Sequence, residues 1–206
     1  MVPGFGASRP IPWLTVTAAQ SDCATSAQGE FDLTETLSAS AGVRHGRLNI
    51  SSADHYLSNG DDSGALAFGY TTPVAALRWQ PMPRWSLYAS TGRGYESPTL
   101  TELAYRPDGK PGFNTALKAQ HSRQLELGSK WRGSELAFDA ALFRAETDDE
   151  IGVQTNVGGR STFQNVGRTR RQGLEASLRW QITPQWRSQL AATVLNATYQ
   201  DSFLTC

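Results

Sequence analysis

The chain has no excess of charge of either sign. Its 19 Lys and Arg are matched by 19 Asp and Glu, and charged residues make up only 18% of its 206 residues. A balanced chain has no global field to recruit a polyanion, so nucleic-acid binding finds no support. Cysteine is scarce. Cys23 and Cys206 stand near opposite ends with no paired spacing, which yields neither a disulfide framework nor a zinc site. No apolar run approaches the roughly 18 residues that a membrane-spanning helix needs. That excludes a helical span but leaves open a membrane barrel, whose alternating strands look hydrophilic in bulk. The opening MVPGFGASRPIPW lacks the basic start and continuous apolar stretch of a signal peptide.

Catalytic signatures are missing as well. His45, His55 and His121 are the only histidines, and no serine lies in a G-x-S-x-G context, so no catalytic residue is expected. Gly92-Arg93-Gly94 and Gly158-Gly159 open no helix after a strand and make no phosphate cradle. Asp54, His55, Asp61 and Asp62, and further on Asp148, Asp149 and Glu150, supply oxygen donors without the spacing of a calcium loop. They read as solvated loop tips, and neither a metal nor a cofactor is implied.

What is present is a repeated turn between alternating segments. LEASLRW ends at Trp180, QITPQ turns, and the next segment begins at Trp186. Upstream, VAALRW ends at Trp79, QPMPR turns, and WSLYAS begins at Trp85; a looser copy has LELGSKW ending at Trp131, then RGSE, then LAFDAALF. Five of the six tryptophans therefore flank one kind of short turn, and only Trp13 does not. On each of these six strands one face carries no charge: Trp85, Leu87, Ala89 and Thr91 on one, Leu125, Leu127, Ser129 and Trp131 on the next, Leu174, Ala176, Leu178 and Trp180 on another.

Such alternation suits a soluble sandwich or a membrane barrel. Three features favour the barrel. The uncharged faces are light for a core, tryptophans recur at one end as an interfacial belt would, and short turns alternate with long loops at 51–69, 95–119 and 147–161. LSASAGVRHGRLNI (37–50) is expected to add one more strand, with small residues on both faces. Residues 1–30 show no period and are expected to be irregular, apart from a candidate short strand over Trp13–Thr17. The expected architecture is all-β, an antiparallel up-and-down transmembrane β-barrel segment of about seven strands, incomplete, over residues 31–206. A soluble β-sandwich binding or adhesion module, or a porin-like barrel, remains the alternative.

Residues 88–180 resemble the C-terminal half of a TonB-dependent outer-membrane receptor. The resemblance is carried by YASTGRGYESPTLTEL (88–103), LKAQHSRQLELGSKW (117–131), LAFDAALFRAETDDEI (136–151) and FQNVGRTRRQGLEASLRW (163–180), with AGVRHGRL (41–48) matching more loosely. These stand in the family's order and spacing over about half the chain. Such receptors take up ferric siderophores, haem or cobalamin through a plugged barrel of about 22 strands. The resemblance thus implies a bacterial outer-membrane receptor fragment for TonB-energised uptake of a ferric siderophore or other iron chelate, with outer-membrane lipid around it. No plug is recognisable, so contact with TonB is expected only through a plug segment absent from this chain. The ending Phe203-Leu204-Thr205-Cys206 departs from the family's terminal aromatic strand, which suggests a truncated product.

A transporter of this kind works by binding. Arg93, Tyr95, Tyr105 and Arg106 lie at or beyond the top of the strand that enters the longest loop, and they are the expected ligand contacts, able to hold an anionic chelate by charge and stacking. Arg168, Arg170 and Arg171 with Glu175 are expected to form a lumenal ion-pair ladder or to meet lipid phosphates.

Overall fold

The computed structural model describes residues 16–55, 58, 60–110 and 112–205. Ten strands and one short helix follow in order: β1 Val16–Asp32, β2 Leu37–Asp54, β3 Gly64–Met82, β4 Trp85–Glu96, α1 Leu100–Leu103, β5 Gln120–Arg132, β6 Leu136–Asp148, β7 Ile151–Val157, β8 Arg160–Asn165, β9 Thr169–Thr183 and β10 Trp186–Tyr199. Eight of them form one antiparallel sheet in the order β1-β2-β3-β4-β5-β6-β9-β10, and β7–β8 is a separate hairpin inserted between β6 and β9. Each main strand pairs with its sequence neighbour once that hairpin is set aside. This is the up-and-down meander expected, as one open sheet and not two packed ones.

Two expectations about extent are corrected. Among the described residues the main sheet has eight strands where about seven were expected, because β1 runs through part of the stretch expected to be irregular and pairs with β2 from Val16↔Asp54 to Asp32↔Ser38. Its Thr, Ala, Ser and Gln residues carry little hydrophobic signal, and ladder hydrogen bonding rather than side-chain pattern holds it. The strand suggested over Trp13–Thr17 falls mainly outside the described residues, which begin at Val16. The loop expected over 51–69 shrinks to 55–63, because β2 and β3 stay paired up to Ser52↔Gly64. Leu66 and Phe68 continue an alternation that the surrounding Gly, Ser and Asp obscure.

All four short turns, 33–36, 83–84, 133–135 and 184–185, lie at one end. The backbone N–H of Leu37 donates to Thr34 Oγ1 at 3.0 Å and that of Trp186 to Thr183 Oγ1 at 3.1 Å, closing two of them with side-chain acceptors. Trp79, Trp85, Trp131, Trp180 and Trp186 stand in the strand positions next to these turns, all with the parity of the uncharged face, and Trp85 lies directly opposite Trp131. Above them an unbroken row crosses all eight strands: Phe31, Ala39, Leu77, Ala89, Leu127, Leu142, Leu174 and Val194. Leu127 is 51% exposed and Val194 69%. A large apolar surface of this kind on a regular sheet is a lipid-facing wall.

The opposite face carries the mid-strand charges. Arg132 pairs with Asp139 at 2.6 Å, Arg179 reaches the same carboxylate at 3.8 Å, Lys130 lies over the Tyr88 ring, and the Tyr88 hydroxyl donates to Glu126. Glycines let these inward aromatics lie flat on the next strand. Gly128, opposite Tyr88, would put a Cβ into that ring, and Gly46 would do the same to Tyr70.

Candidate functional site

The end opposite the tryptophans holds the only buried apolar cluster among the described residues. Leu48 and Ile50 of β2 pack with Leu103, Phe113 and Leu117 of the 97–119 connection, flanked by Leu66, Phe68, Ile151 and Phe163. The long loop thus folds over the inward face of β2 and β3 instead of standing free in solvent. Its turn of helix is set by a capping box, in which Glu102 N–H donates to Thr99 Oγ1 at 3.3 Å and Thr99 N–H to Glu102 Oε2 at 2.7 Å. Leu103, at the end of that turn, is fully buried.

Polar groups clasp three connections into one cap. Gly112 N–H donates to the Asp62 carboxylate, bringing the 55–63 connection against the 97–119 loop. Asn114 Nδ2 donates to the Phe163 carbonyl at 3.2 Å, and Asn165 exchanges bonds with the backbone of Lys118 at 2.9 and 3.0 Å, tying that loop to the β7–β8 hairpin. Glu150 at the base of the hairpin accepts from Arg171 at 2.6 and 2.8 Å and from the Thr169 hydroxyl. The Arg171 guanidinium, chiefly by hydrogen bonding, holds the Glu150 carboxyl below the usual glutamate range despite partial burial. The acidic loop residues therefore close turns and clasp loops: Asp61 accepts from Ser63 N–H at 2.9 Å. Among the described residues no group of three or more His, Cys, Asp or Glu side chains could hold a metal ion.

Next to the cap, β3 and β4 part. Their pairing stops at Val74↔Gly92, while β3 stays paired with β2 and β4 with β5 for several residues more. Pro73, one step above the last pair, has no N–H to donate. A cleft of about 500 Å³ opens there, lined by Asp22, Arg44, Tyr70, Arg93, Tyr95 and Glu96 among others. The rings of Tyr70 and Tyr95 stack at 4.6 Å and 16°, His121 lies 5.4 Å from Tyr95, and the Arg44 guanidinium stands 5.7 Å over Tyr70. Asp22 receives Arg44 at 3.4 Å and the Tyr70 hydroxyl at 3.3 Å. Among the described residues the Tyr95 hydroxyl is buried without a hydrogen-bond partner, a polar atom that would gain from one.

The four expected contacts divide into two pairs. Arg93 and Tyr95 border this cleft. Tyr105 and Arg106 belong to the cap: Tyr105 lies under Arg160 of the hairpin at 5.2 Å, and Arg106 makes a fork to Asp108 at 3.0 and 2.8 Å. That fork lowers the Asp108 carboxyl to about 2. The basic run entering β9 also divides, with Arg168 on Asp201, Arg170 on Glu146 and Arg171 on Glu150. Sequence reading missed Asp22, Arg44 and Tyr70. The period-2 run Leu66, Phe68, Tyr70, Thr72 was the signal that set Tyr70 on the face of Arg44.

Comparison with known proteins matches the family model described as TonB dependent receptor-like, beta-barrel, over residues 3–205. The chain belongs to that family. This TonB-dependent receptor barrel segment is 30% identical to the vitamin B12 transporter BtuB of Vibrio vulnificus (strain YJ016) over 133 residues, which is 64% of the chain and 21% of the relative. It is 34% identical to the catecholate siderophore receptor Fiu of Escherichia coli (strain K12) over 101 residues, 46% of the chain and 13% of the relative. Among solved structures, the copper transporter OprC superposes with a TM-score of 0.77 at 17% identity, over 89% of this chain and 30% of that one. The E. coli K12 Fiu receptor in its closed form gives 0.71 at 20% identity, over 90% and 29%. The chain therefore spans about a fifth or less of these two curated relatives. It is a portion of a bacterial outer-membrane barrel, and the relatives it matches are named as transporters and receptors, not enzymes.

Proposed function

We propose that this barrel segment serves TonB-energised uptake of a ferric siderophore or similar iron complex across the outer membrane, by ligand binding in the upper lumen and outer loops and without bond-making chemistry. The single observation that carries the reading is the cleft beside the cap, where the stacked Tyr70 and Tyr95 rings meet Arg44 and Arg93. Flat rings with an adjacent guanidinium suit an anionic, aromatic-bearing chelate, held by stacking and charge-assisted hydrogen bonds. Arg93 and Tyr95 are the proposed primary contacts. Tyr105 and Arg106, on the cap, are proposed to meet the ligand first. In this reading TonB is engaged through a plug segment and not through the barrel strands.

The test is a titration of the full receptor with ferric catecholate, ferric hydroxamate and cobalamin, followed by intrinsic fluorescence. Tyr95→Ala is expected to weaken binding of a ferric chelate about tenfold, as loss of one stacking contact with its buried hydroxyl implies. Binding of cobalamin alone, or a Tyr95→Ala variant that binds the chelate as well as the wild type, would overturn the reading.

A further inference from the structure

The cleft between β3 and β4 carries its own anion. Four charged side chains line it, Asp22, Arg44, Arg93 and Glu96, so two guanidiniums are matched by two carboxylates and the net charge is zero. The two carboxylates are held differently. Glu96 accepts from Gln120 Nε2, and Gln120 Oε1 accepts from Ile151 N–H at 3.0 Å, which ties Glu96 to the base of the β7–β8 hairpin. Asp22 faces inward from β1, opposite Leu48, and reaches the ring system. Arg44 stands 3.4 Å from one of its oxygens, and the Tyr70 hydroxyl donates to the other at 3.3 Å. Asp22 therefore occupies the same guanidinium and the same ring that an anionic ligand would use. Its hold is loose. Both contacts are long, and the side chains of Arg44 and Asp22 are 54% and 43% exposed, so an incoming anion can displace it. Among the described residues Arg93 has no ion-pair partner, which leaves one guanidinium open to a ligand.

This arrangement grades ligands by charge. The first negative charge of a ligand finds Arg93 unopposed, whereas each further one meets Asp22 and Glu96 as well. A carboxylate bonded to the Tyr70 hydroxyl lies roughly 6 Å from the ring centre and roughly 7 Å from a group seated on that ring or on Arg44. At roughly 7 Å, Asp22 opposes each ligand charge by about threefold in affinity even at the dielectric constant of water, and by more where the cleft walls exclude water. Given that this cleft binds ferric chelates as proposed above, we infer that Asp22 is a specificity-determining residue: by holding the cleft neutral, it makes the site favour ferric chelates of one net negative charge over triply charged ones. Asp22 acts through the field and through Arg44, and the rings supply stacking to either kind of chelate.

The experiment titrates the full receptor in detergent, by quenching of intrinsic fluorescence, with two ferric chelates built from the same ring. One is a hexadentate tris-catecholate complex, triply negative. The other is the one-to-one complex of a linked bis-catecholate, singly negative. Catechol stacking is common to both, so the change in the ratio of their affinities between variants reports charge. The wild type is expected to bind the singly charged chelate more tightly. Asp22→Asn keeps the size of the side chain and an acceptor for Tyr70 but removes the charge. It is expected to shift the ratio toward the triply charged chelate by about fivefold at roughly 0.01 M salt, and by only about twofold at roughly 0.15 M, as screening of a two-charge difference requires. Asp22→Glu, which keeps the charge, is expected to retain the wild-type ratio. An unchanged ratio in Asp22→Asn, an equal shift in Asp22→Glu, or a wild type that prefers the triply charged chelate overturns the role of Asp22 and leaves the uptake of ferric chelates standing. Binding of neither chelate by the wild type overturns both.

Discussion

Leucine 127 is the sharpest test of which face meets lipid. It lies in the middle of the eight-strand apolar row, between Ala89 and Leu142. Its distance from the tryptophan belt is four residues, about 14 Å along the strand and about 10 Å along the normal, which puts it near the middle of a band about 25 Å tall. Leu127→Arg is therefore expected to destabilise the barrel by about 2–4 kcal/mol. That corresponds to a shift of roughly 30- to 700-fold in the folding equilibrium. Ser90, on the strand beside it, has the opposite parity and faces Glu126. Ser90→Arg places the same side chain at the same depth on the inward face and is expected to change stability by less than about 1 kcal/mol. The assay is reversible denaturant unfolding of the full receptor in lipid vesicles, read by tryptophan fluorescence. Equal costs for the two arginines, or a larger one for Ser90→Arg, would refute the assignment of faces and with it the membrane orientation of the sheet.

Gly128→Val is expected to cost about 1–3 kcal/mol in the same assay, because its side chain must displace the Tyr88 ring; in a Tyr88→Ala background the penalty should fall below about 1 kcal/mol. The cap should loosen in acid. Glu150 titrates lower when folded than unfolded, so its clasp on Arg171 contributes fully above the ordinary glutamate range and is lost as pH falls through the folded value. Amide exchange at Val166, whose N–H donates to the Glu150 carbonyl, is expected to accelerate over that acidic window, and Glu150→Gln should show fast exchange already at neutral pH. A carbon-detected titration should find the Asp108 carboxyl at about 2, and Arg106→Ala should return it to the ordinary range. Trp79, Trp85, Trp131, Trp180 and Trp186 should be quenched more by lipids brominated near the headgroup than by lipids brominated at mid-chain, and the reverse order would remove them from the interface.

The wall of the barrel was legible residue by residue. Period-2 alternation in Leu125–Trp131 or Leu174–Trp180 assigns every side chain to a face, because a strand has no other way to dispose of them, and the tryptophans told one end from the other. The signal failed where side chains are small. β1 offers Thr, Ala, Ser and Gln on both faces, so only its pairing with β2 reveals it. It also failed at the candidate site. Arg93 and Tyr95 were visible as a basic and an aromatic residue at a strand top, yet their partners Asp22, Arg44 and Tyr70 lie between roughly 20 and 75 positions earlier in the chain.

What the sequence determined by itself was therefore the periodic part: all-β class, antiparallel order, the lipid-facing side and the end at which the long loops lie. Family motifs in the right order added the kind of barrel. Tertiary structure decided whatever depends on contacts between distant segments. It folded the 97–119 loop inward because Leu103, Phe113 and Leu117 find apolar partners on β2 and β3 and on the β7–β8 hairpin. It opened the cleft where Pro73 cannot donate to β4, and it sent Arg168, Arg170 and Arg171, nearly adjacent in sequence, to three different carboxylates. Alternation is a local property of a strand, whereas a loop's resting place and a charge's partner are set by which surfaces the register brings together.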